Sequence, residues 1–216
     1  MDMKNSRPDP KQTRQARARY NRIAPAYDLM NWLGEAAYRR WREQLWRQVP
    51  DRGRILEVGI GTGKNLPYHP KDAQVIGVDL SPRMLAQAQK RRQKLGSRTE
   101  LLLGDAQALD LPDDSVDAAV ATFVFCSIPD PVLGLRELRR VVRPGGRVYL
   151  LEHMRSAKEL SGRLMDFIDP LIVATMGFHI NRRTLENIAR AGLEIEQVRD
   201  VGLDGIFKVI VAKSPD

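Results

Sequence analysis

Residues 54–63 combine an apolar strand pattern with a glycine-rich turn, and an acid closes the next apolar run. The glycines stand at alternate positions, Gly59, Gly61 and Gly63, and the acid is Asp79. A strand, a glycine turn and an acid about twenty residues later are typical of nucleoside binding. The glycines let the backbone approach a ligand closely, and the acid is suited to accept hydrogen bonds from both ribose hydroxyls.

Two departures from the dinucleotide fingerprint narrow the choice of ligand. That fingerprint needs a glycine where Lys64 stands, and Glu57 lies inside the strand, two residues before the turn. A pyrophosphate at this place would face a carboxylate in a partly buried site, which is unfavourable. A ligand with an adenosine at one end and an ammonium at the other avoids that repulsion. The pattern therefore predicts S-adenosylmethionine as cofactor, S-adenosylhomocysteine as product, and methyl transfer as the reaction.

Other residues near the expected strand ends complete the predicted cofactor site. The segment 104–106 repeats the strand-end pattern, and its Asp105 is placed to accept from an adenine amino group. Leu80 and Met84 are expected to cover the adenine. A helix over 62–68 would present free N–H groups to the methionine carboxylate. The predicted cofactor-binding set is Tyr20, Glu57, Gly59, Gly61, Gly63, Asn65, Asp79, Leu80, Met84, Asp105, Ala106 and Thr122.

After Arg54 apolar strands alternate with helices, and this alternation predicts the fold. The central strands are continuous apolar runs, as expected for a parallel sheet with helices on both faces. We therefore predict a Rossmann-like α/β sheet of seven strands, with its ligand at the carboxyl ends. The turn at 204–205 predicts a hairpin that adds an antiparallel strand. Strands are expected at 54–59, 74–79, 99–103, 116–122, 147–152, 194–200 and 206–213, and helices at 62–68, 82–95, 131–142 and 182–191.

Composition describes one globular unit rather than a membrane-spanning protein. The chain has 216 residues, and its longest uncharged apolar run, 118–128, is far shorter than the ~20 residues of a membrane span. The single cysteine, Cys126, excludes an intramolecular disulfide and fits a reducing cytosol. The beginning of the sequence lacks the apolar stretch of a secretory signal. The sequence therefore predicts a cytoplasmic protein.

The net charge of +8 is concentrated in residues 1–50, which hold eleven Lys and Arg against five acids, together with all three tryptophans. Pro25 and Gly34 should divide the helical pattern of this segment into two or three helices. Such a basic segment is attracted to anionic membrane surfaces or nucleic acid. We expect residues 1–50 to act as a lid and membrane-docking region, and 51–216 as the S-adenosylmethionine-binding domain. The protein would then associate peripherally with the inner face of the cell membrane.

The segment 160–180 is more apolar than a connection between two strands requires. Core packing is the default expectation. There are two alternatives: the segment forms an apolar lid over the substrate site, or it forms a surface that enters lipid.

The motifs resemble those of the class I S-adenosylmethionine-dependent methyltransferases. The matching segments are 56–63, 77–81, 104–106 and 138–146. Residues 20–31 are similar to the N-terminal helix shared by ubiquinone/menaquinone C-methyltransferases and bacterial phospholipid N-methyltransferases, while 152–156 and 181–192 look closer to the phospholipid branch. Over its whole length the chain resembles the soluble phosphatidylethanolamine N-methyltransferases of bacteria.

This resemblance implies transfer of methyl groups to phosphatidylethanolamine and its methylated intermediates, towards phosphatidylcholine. The amine must lose a proton before it is methylated. Tyr27 and His153 are the candidate catalytic residues, because related small amine methyltransferases use tyrosine and histidine from comparable places. Ring faces would hold the methylated cation, and arginines its phosphate. The predicted substrate-binding residues are Tyr38, Phe125, Arg155, Phe178, Arg182 and Arg183, with Tyr20 and Tyr27 as further aromatic contacts.

Two other functions remain open at this point. The second hypothesis is carbon methylation of a polyprenyl quinol precursor, and the third is a nucleic-acid-binding protein built on the nucleoside fold. Against the third, no Asn/Asp-Pro-Pro-Tyr tetrapeptide follows the fourth expected strand, where 121–126 read Ala-Thr-Phe-Val-Phe-Cys. We therefore expect no nucleic-acid partner and no metal. The oligomeric state is left open, with a monomer favoured.

Overall fold

The computed structural model describes residues 7–30, 32, 34–202 and 205–215. Within these ranges, seven strands form one sheet in the order β3-β2-β1-β4-β5-β7-β6. The strands are β1 Arg52–Val58, β2 Asp72–Asp79, β3 Glu100–Leu103, β4 Val116–Thr122, β5 Val142–His153, β6 Glu194–Gly202 and β7 Phe207–Lys213. The α-helices are α1 Pro10–Ile23, α2 Tyr27–Met30, α3 Glu35–Trp46, α4 Pro82–Leu95, α5 Pro131–Val141, α6 Glu159–Thr175 and α7 Thr184–Ala191.

Strand pairing confirms the predicted sheet. Strands β1 to β5 pair in parallel, whereas β7 runs antiparallel to both β5 and β6. Because β1 pairs with β2 on one side and β4 on the other, the strand order reverses beside β1, the usual place for a ligand in such sheets. Asn31 of the N-terminal motif and Asp204 of the expected hairpin turn lie outside the described residues.

Buried side chains lie on both faces of the sheet. On one face Leu135 of α5 and Ile188 of α7 are fully buried in a cluster with residues of β1, β2, β4, β5 and β7. On the other face Leu45 and Trp46 of α3 pack against Ile55 and its neighbours. Burial of each such aliphatic side chain stabilises the fold by about 1.5–3 kcal/mol. The prediction of helices on both faces is therefore confirmed.

The expected helix over 62–68 does not form. Residues 61–65 are turns, and a short 3₁₀ helix spans Leu66–Tyr68. Gly61 and Gly63 both have left-handed backbone conformations, with φ of 58° and 79°. Such residues interrupt a right-handed helix. The site therefore has no α-helix N-terminus directly after β1, and single backbone N–H groups act there instead.

The described part of the region 1–50 is fastened to the carboxyl edge of the sheet. A 3₁₀ turn at Ala24–Ala26 separates α1 from α2, as the proline at position 25 predicted. Side-chain hydrogen bonds join these helices to the loops after β1, β2 and β3. They are Thr13 Oγ1 to Asp105 Oδ2 (3.0 Å), Ser81 Oγ to Asn21 Oδ1 (2.7 Å) and Thr62 Oγ1 to Asp28 Oδ1 (2.7 Å). These contacts place α1 and α2 over the carboxyl edge of the sheet, and the expected role as a lid stays a prediction.

The tryptophans contribute mostly to packing. Trp46 is buried, and the ring of Trp41 lies 5.0 Å from that of Phe207. Trp32 is exposed. The helix α3 therefore uses two of the three tryptophans to cover the sheet.

The helix α6 exposes an apolar stripe. Its exposed members are Leu160 (84%), Leu164 (59%), Phe167 (83%) and Leu171 (66%), which a 3.6-residue period places on one face. Only Gly162 and Asp169 of this helix are buried. Core packing for the segment 160–180 was therefore the wrong default. In the described part of the chain, no helix combines the length and apolarity needed to cross a bilayer.

Candidate active site

A cavity of about 90 Å³ lies at the carboxyl edge of the sheet, where the strand order reverses. The loops after β1, β2, β3 and β4 form its walls, and Ala16 and Tyr20 of α1 cover it. The predicted cofactor residues that line it are Tyr20, Gly59, Gly61, Asp79, Leu80, Met84, Asp105, Ala106 and Thr122. Residues from five separate parts of the chain thus meet as the sequence predicted.

Asp79 is the central polar group of this cavity. Its Oδ2 accepts a hydrogen bond from the Gly61 N–H and its Oδ1 accepts one from the Ser81 N–H, both at 2.8 Å. Burial raises the pKa of Asp79 to about 6, and the two backbone N–H groups oppose that rise. A carboxylate held in this way keeps lone pairs that face the cavity and suit a pair of hydroxyls.

Glu57, Gly63 and Asn65 do not line the cavity, although they were expected to contact the cofactor. Glu57 Oε1 accepts a hydrogen bond from Asn65 Nδ2 (2.6 Å), and Glu57 Oε2 is bonded to His69 Nε2 (2.7 Å). Asn65 Nδ2 also donates to Thr122 Oγ1 (2.9 Å). A Cβ on Gly63 would meet a side-chain carbon of the following 3₁₀ helix at 2.6 Å. These residues therefore support the turn from behind.

The lining fits an adenosine group. Asp79 is placed for the ribose hydroxyls, and the apolar side chains of Leu80 and Met84 flank the space beside it. Asp105, at the far side, is held by hydrogen bonds from Thr13 and from the N–H of Gln107 (2.9 Å). Two carboxylates that accept hydrogen bonds from hydroxyl and amino groups, separated by apolar surfaces, match the donors and the apolar rings of an adenine nucleoside.

A second cavity of about 530 Å³ adjoins the first. Tyr20, Tyr27 and Phe123 line both cavities. The other walls come mainly from α1, α2, α3, the end of β5, α6 with the segment after it, and the β6–β7 hairpin, and they are mostly aromatic or aliphatic. They include Ile23, Met30, Tyr38, Arg42, His153, Met165, Met176, Phe178, Ile206 and Phe207. We call the first space the cofactor cavity and the second the acceptor cavity, because the shared residues mark the place where two bound molecules would meet.

His153, a predicted catalytic residue, lines the acceptor cavity at the end of β5. Its Nε2 donates a hydrogen bond to the backbone oxygen of His179 (3.0 Å), which leaves the lone pair on Nδ1. Burial lowers the pKa of His153 from its ordinary value of 6.5. The imidazole is therefore neutral at pH 7 and suited to accept a proton.

Tyr27, the other predicted catalytic residue, lies at the junction of the two cavities. Burial raises the pKa of its phenol to about 12. The hydroxyl therefore stays protonated at neutral pH, and Tyr27 is suited to position an acceptor group rather than to act as a base.

Tyr38 and Phe178 line the acceptor cavity as predicted, but Phe125 does not. Phe125 is 1% exposed and packs in the core near Gly134. Phe123 takes the expected place, because its left-handed backbone (φ of 58°) turns the chain directly after β4. No sequence signal marked this turn, since a positive φ is rare for an aromatic residue.

The three arginines expected to bind substrate do not line the acceptor cavity. Arg155 Nη2 bonds Asp166 at 2.9 Å, and Arg183 Nη1 bonds Glu186 at 3.1 Å. Arg182 Nη2 donates to a backbone oxygen of the loop after β4. Local partners hold these side chains outside the cavity wall, and their contact with a substrate stays a prediction. Arg42 and Phe207 line the cavity instead, and sequence reasoning missed both.

Glu152, next to His153, fixes the loop that carries Phe123. Its Oε1 accepts hydrogen bonds from the N–H groups of Val124 (2.8 Å) and Phe125 (3.0 Å). Burial raises the pKa of Glu152 to about 7. This carboxyl therefore sets the path of the chain between the two cavities without lining either.

Comparison with known proteins identifies the family. A profile described as a methyltransferase domain matches residues 56–150. The demethylmenaquinone methyltransferase of Thermus thermophilus is 34% identical over 172 residues, which cover 73% of this chain and 78% of that protein. The chain is a class I S-adenosylmethionine-dependent methyltransferase. The phosphatidylethanolamine N-methyltransferase of Cereibacter sphaeroides is 40% identical to this methyltransferase over 108 residues, covering 49% of this chain and only 53% of that relative.

Solved structures agree on the fold of the methyltransferase. A methyltransferase from Thermotoga maritima, described as a possible histamine N-methyltransferase, matches with a TM-score of 0.68 at 24% identity, over 92% of this chain and 99% of that one. The [4+2]-cyclase SpnF matches with a TM-score of 0.70 at 21% identity, over 82% and 80% of the two chains. Because a cyclase shares the fold, the reaction has to be argued from the site.

When bound, S-adenosylmethionine supplies the methyltransferase with an electrophilic methyl group on a sulfonium. Asp79 and Gly61 would hold its nucleoside, and Tyr20, Tyr27 and Phe123 border the place where the methyl group meets an acceptor. Among the residues that the structure describes, no group of three or more His, Cys, Asp and Glu side chains could hold a metal ion. Independence from metal stays a prediction.

We expect the affinity for S-adenosylhomocysteine to fall as the pH drops below about 6, the pKa of Asp79 in the free protein. Protonation removes an acceptor for the ribose hydroxyls, so the loss should approach about tenfold per pH unit. Calorimetric titrations between about pH 5 and 8 would measure it. The variant D79N should bind about 10–100-fold more weakly and lack this pH dependence. An identical slope in D79N would assign the effect to another group.

Proposed function

We propose that this methyltransferase methylates the amine of phosphatidylethanolamine and of its methylated intermediates, towards phosphatidylcholine. The observation that supports this most is the acceptor cavity, in which a neutral histidine and a set of aromatic rings lie next to the cofactor cavity. Ring faces suit a head group that becomes a fixed cation as methyl groups are added. The 40% identity to a phosphatidylethanolamine N-methyltransferase over part of the chain supports the same acceptor.

The proposed chemistry uses groups that the cavity already holds. His153 Nδ1 would accept the proton that the head-group ammonium must lose, and the freed amine lone pair then attacks the methyl carbon. The bond from that carbon to sulfur breaks, and its electron pair stays on sulfur. Tyr27 would position the nitrogen, and the apolar walls exclude water from the reacting atoms. Alignment and desolvation supply most of the rate in such a transfer.

Carbon methylation of a polyprenyl quinol is the second candidate. The match to a demethylmenaquinone methyltransferase supports it, because it extends over more of both chains than the match to the phospholipid enzyme. An apolar cavity and a neutral histidine would also suit a quinol, whose hydroxyl proton must be removed. The two candidates therefore share a site and differ in the acceptor.

The acceptor is tested with purified protein and methyl-labelled S-adenosylmethionine. Vesicles would contain phosphatidylethanolamine, phosphatidylglycerol and a reduced demethylmenaquinone. We expect label in mono-, di- and trimethylated phospholipid, because the cavity suits an amine that becomes a cation. The cofactor-site variant D79N should reduce the label strongly. Label confined to the quinone fraction would replace the first candidate by the second.

We expect H153A to lower the methylation rate of phosphatidylethanolamine by about 10²–10⁴-fold at pH 7, because the base is lost. Raising the pH above the pKa of the lipid amine should restore much of the rate, since an amine that is already neutral needs no base. Single-turnover rates against pH would measure this. Affinity for S-adenosylhomocysteine should not change, because His153 lines only the acceptor cavity. A pH-independent deficit would contradict the role as base.

The same proposal includes docking on an anionic membrane. Met30 of α2 and Met165 and Met176 beside the apolar stripe of α6 line the acceptor cavity, so this cavity opens beside exposed apolar side chains. Leu29 and Trp32 add to that surface, at 72% and 63% exposed. We call α2, Trp32 and the stripe of α6 the docking surface. The docking surface adds α6 to the N-terminal helices, for which membrane docking was expected. The helix α1 supplies exposed arginines beside this surface.

The contact between α1 and the end of α6 brings charge next to this surface. Arg19 Nη1 donates to the backbone oxygen of Gly177 at 2.9 Å. The exposed side chains of Arg14, Arg17 and Arg22 on α1 would then face anionic lipid while the apolar stripe enters it. Because α1 also covers the cofactor cavity, its deletion would disturb cofactor binding. Docking is therefore better tested on α6.

We expect the double variant L164E/F167E to lose at least about tenfold in binding to vesicles of phosphatidylethanolamine and phosphatidylglycerol, because two side chains that enter lipid become charged. Co-sedimentation would measure it. The control L95E alters an exposed leucine on α4, away from the docking surface, and should bind as the wild type does. Unchanged sedimentation of the double variant would contradict docking through α6.

A further inference from the structure

Arg42 is a buried cation in the wall of the acceptor cavity. It extends from α3 and is 7% exposed. Its Nε and Nη1 atoms are buried, and no acceptor among the described residues bonds to either. Its guanidinium carbon lies 5.4 Å from the centre of the Phe123 ring, a cation–π contact that compensates only part of the lost hydration.

Arg42 differs from two neighbouring cations at this end of the sheet, Lys64 and Arg91, which both have carboxylate partners. Lys64, which also lines the acceptor cavity, pairs with Glu35 and lies 3.7 Å from Asp28. Arg91 bonds Asp28 at 2.6 Å. Within the described residues, no carboxylate oxygen lies within 4 Å of the Arg42 nitrogens. A buried charge without a counter-ion is unfavourable unless a ligand supplies one.

The position of Arg42 relative to Tyr27 decides which part of a ligand it would meet. Burial accounts for most of the rise in the Tyr27 pKa, and the positive charge of Arg42 opposes that rise, so the two groups lie near each other. Tyr27 and Phe123 border the cofactor cavity, whereas Arg42 lines only the acceptor cavity. An anion bound at Arg42 would therefore lie on the acceptor side of the junction. A short chain between this anion and the reacting nitrogen would then place the nitrogen at the junction.

We infer that Arg42 binds the phosphodiester of the acceptor lipid. This inference rests on the proposed function, and it names a group that would hold the phosphate, a role that the sequence analysis gave to Arg155, Arg182 and Arg183. A guanidinium forms paired hydrogen bonds to phosphate oxygens and keeps its charge at every physiological pH. In ethanolamine lipids only a short ethylene chain separates phosphate from amine. The apolar walls beyond Arg42 lead towards the docking surface, where the acyl chains would lie.

Arg42 is tested with soluble single-chain substrates that differ in the phosphate. Lysophosphatidylethanolamine carries it, and dodecylamine does not. In R42M we expect the KM for lysophosphatidylethanolamine to rise roughly 10–100-fold, the range for loss of hydrogen bonds to a charged group, while kcat changes less. The KM for dodecylamine should stay within about twofold. R42K should recover part of the loss, because it restores charge without the planar fork.

The matched control is R40M, which removes an exposed arginine from the same helix and should match the wild type. Binding of dodecylphosphocholine below its micelle concentration, measured by calorimetry with S-adenosylhomocysteine present, gives a readout without turnover. The wild type should bind it, and R42M should not. Equal binding by both proteins, or no binding by the wild type, would overturn the inference.

Failure of the proposed function gives a different result. If the wild type methylates neither amine but binds dodecylphosphocholine, and R42M does not bind it, the phosphate site is supported and the proposed reaction is contradicted. If R42M stops turnover of a reduced demethylmenaquinone and leaves dodecylphosphocholine binding unchanged, Arg42 serves a phenolate and the inference is overturned. Unchanged affinity for S-adenosylhomocysteine in R42M would exclude a general loss of folding.

Discussion

The carboxylate of Asp79 holds the cofactor site together. Its two oxygens bond to N–H groups from the glycine turn after β1 and from the start of the loop after β2. The hydroxyl of Ser81, in that second loop, bonds to Asn21 of α1. Two strand ends and the covering helix are therefore fixed relative to one acid. Asp79 is partly exposed to the cavity, and its burial on the other sides raises its pKa to about 6.

The loop after β4 fixes the positions of the elements around the acceptor cavity. Glu152 holds the N–H groups of this loop, and Phe123, in a left-handed conformation, extends between the two cavities. Backbone strain of this kind persists only where the surroundings compensate for it. Here the compensation comes from a buried carboxyl on the neighbouring strand. The two cavities therefore share a wall whose backbone is held by hydrogen bonds to Glu152.

The fold and the cofactor half of the site could be predicted from sequence, because their signals are local. Apolar runs mark the strands, and Asp79 and Asp105 stand where parallel strands end. The helix expected over 62–68 failed because Gly61 and Gly63, included for close approach to the ligand, also stop a helix. The acceptor half depends on contacts between distant segments. Arg42 looked like one of many basic residues until α3 was packed against the sheet.

Phe125 and the segment 160–180 illustrate the same limit. Two phenylalanines stand two residues apart after β4, and only the backbone turn decides that Phe123 faces the cavity while Phe125 enters the core. The apolar residues of α6 have the composition of a buried helix. Their periodicity does not show whether this apolar face packs against the rest of the protein or lies on its surface. The hydrophobic effect has no preferred direction, so an apolar residue does not specify its packing partner. Only the tertiary structure shows which apolar residues are buried.

The position of α1 across the cofactor cavity has a consequence for turnover. A nucleoside bound beneath this helix would leave through a local opening of the N-terminal region. Thr13 donates one hydrogen bond that holds α1 in place, and Asn21 accepts another from Ser81; each contributes only about 1 kcal/mol. Such an opening would leave the sheet folded, and its rate would depend on how easily the contacts between α1 and the neighbouring loops break.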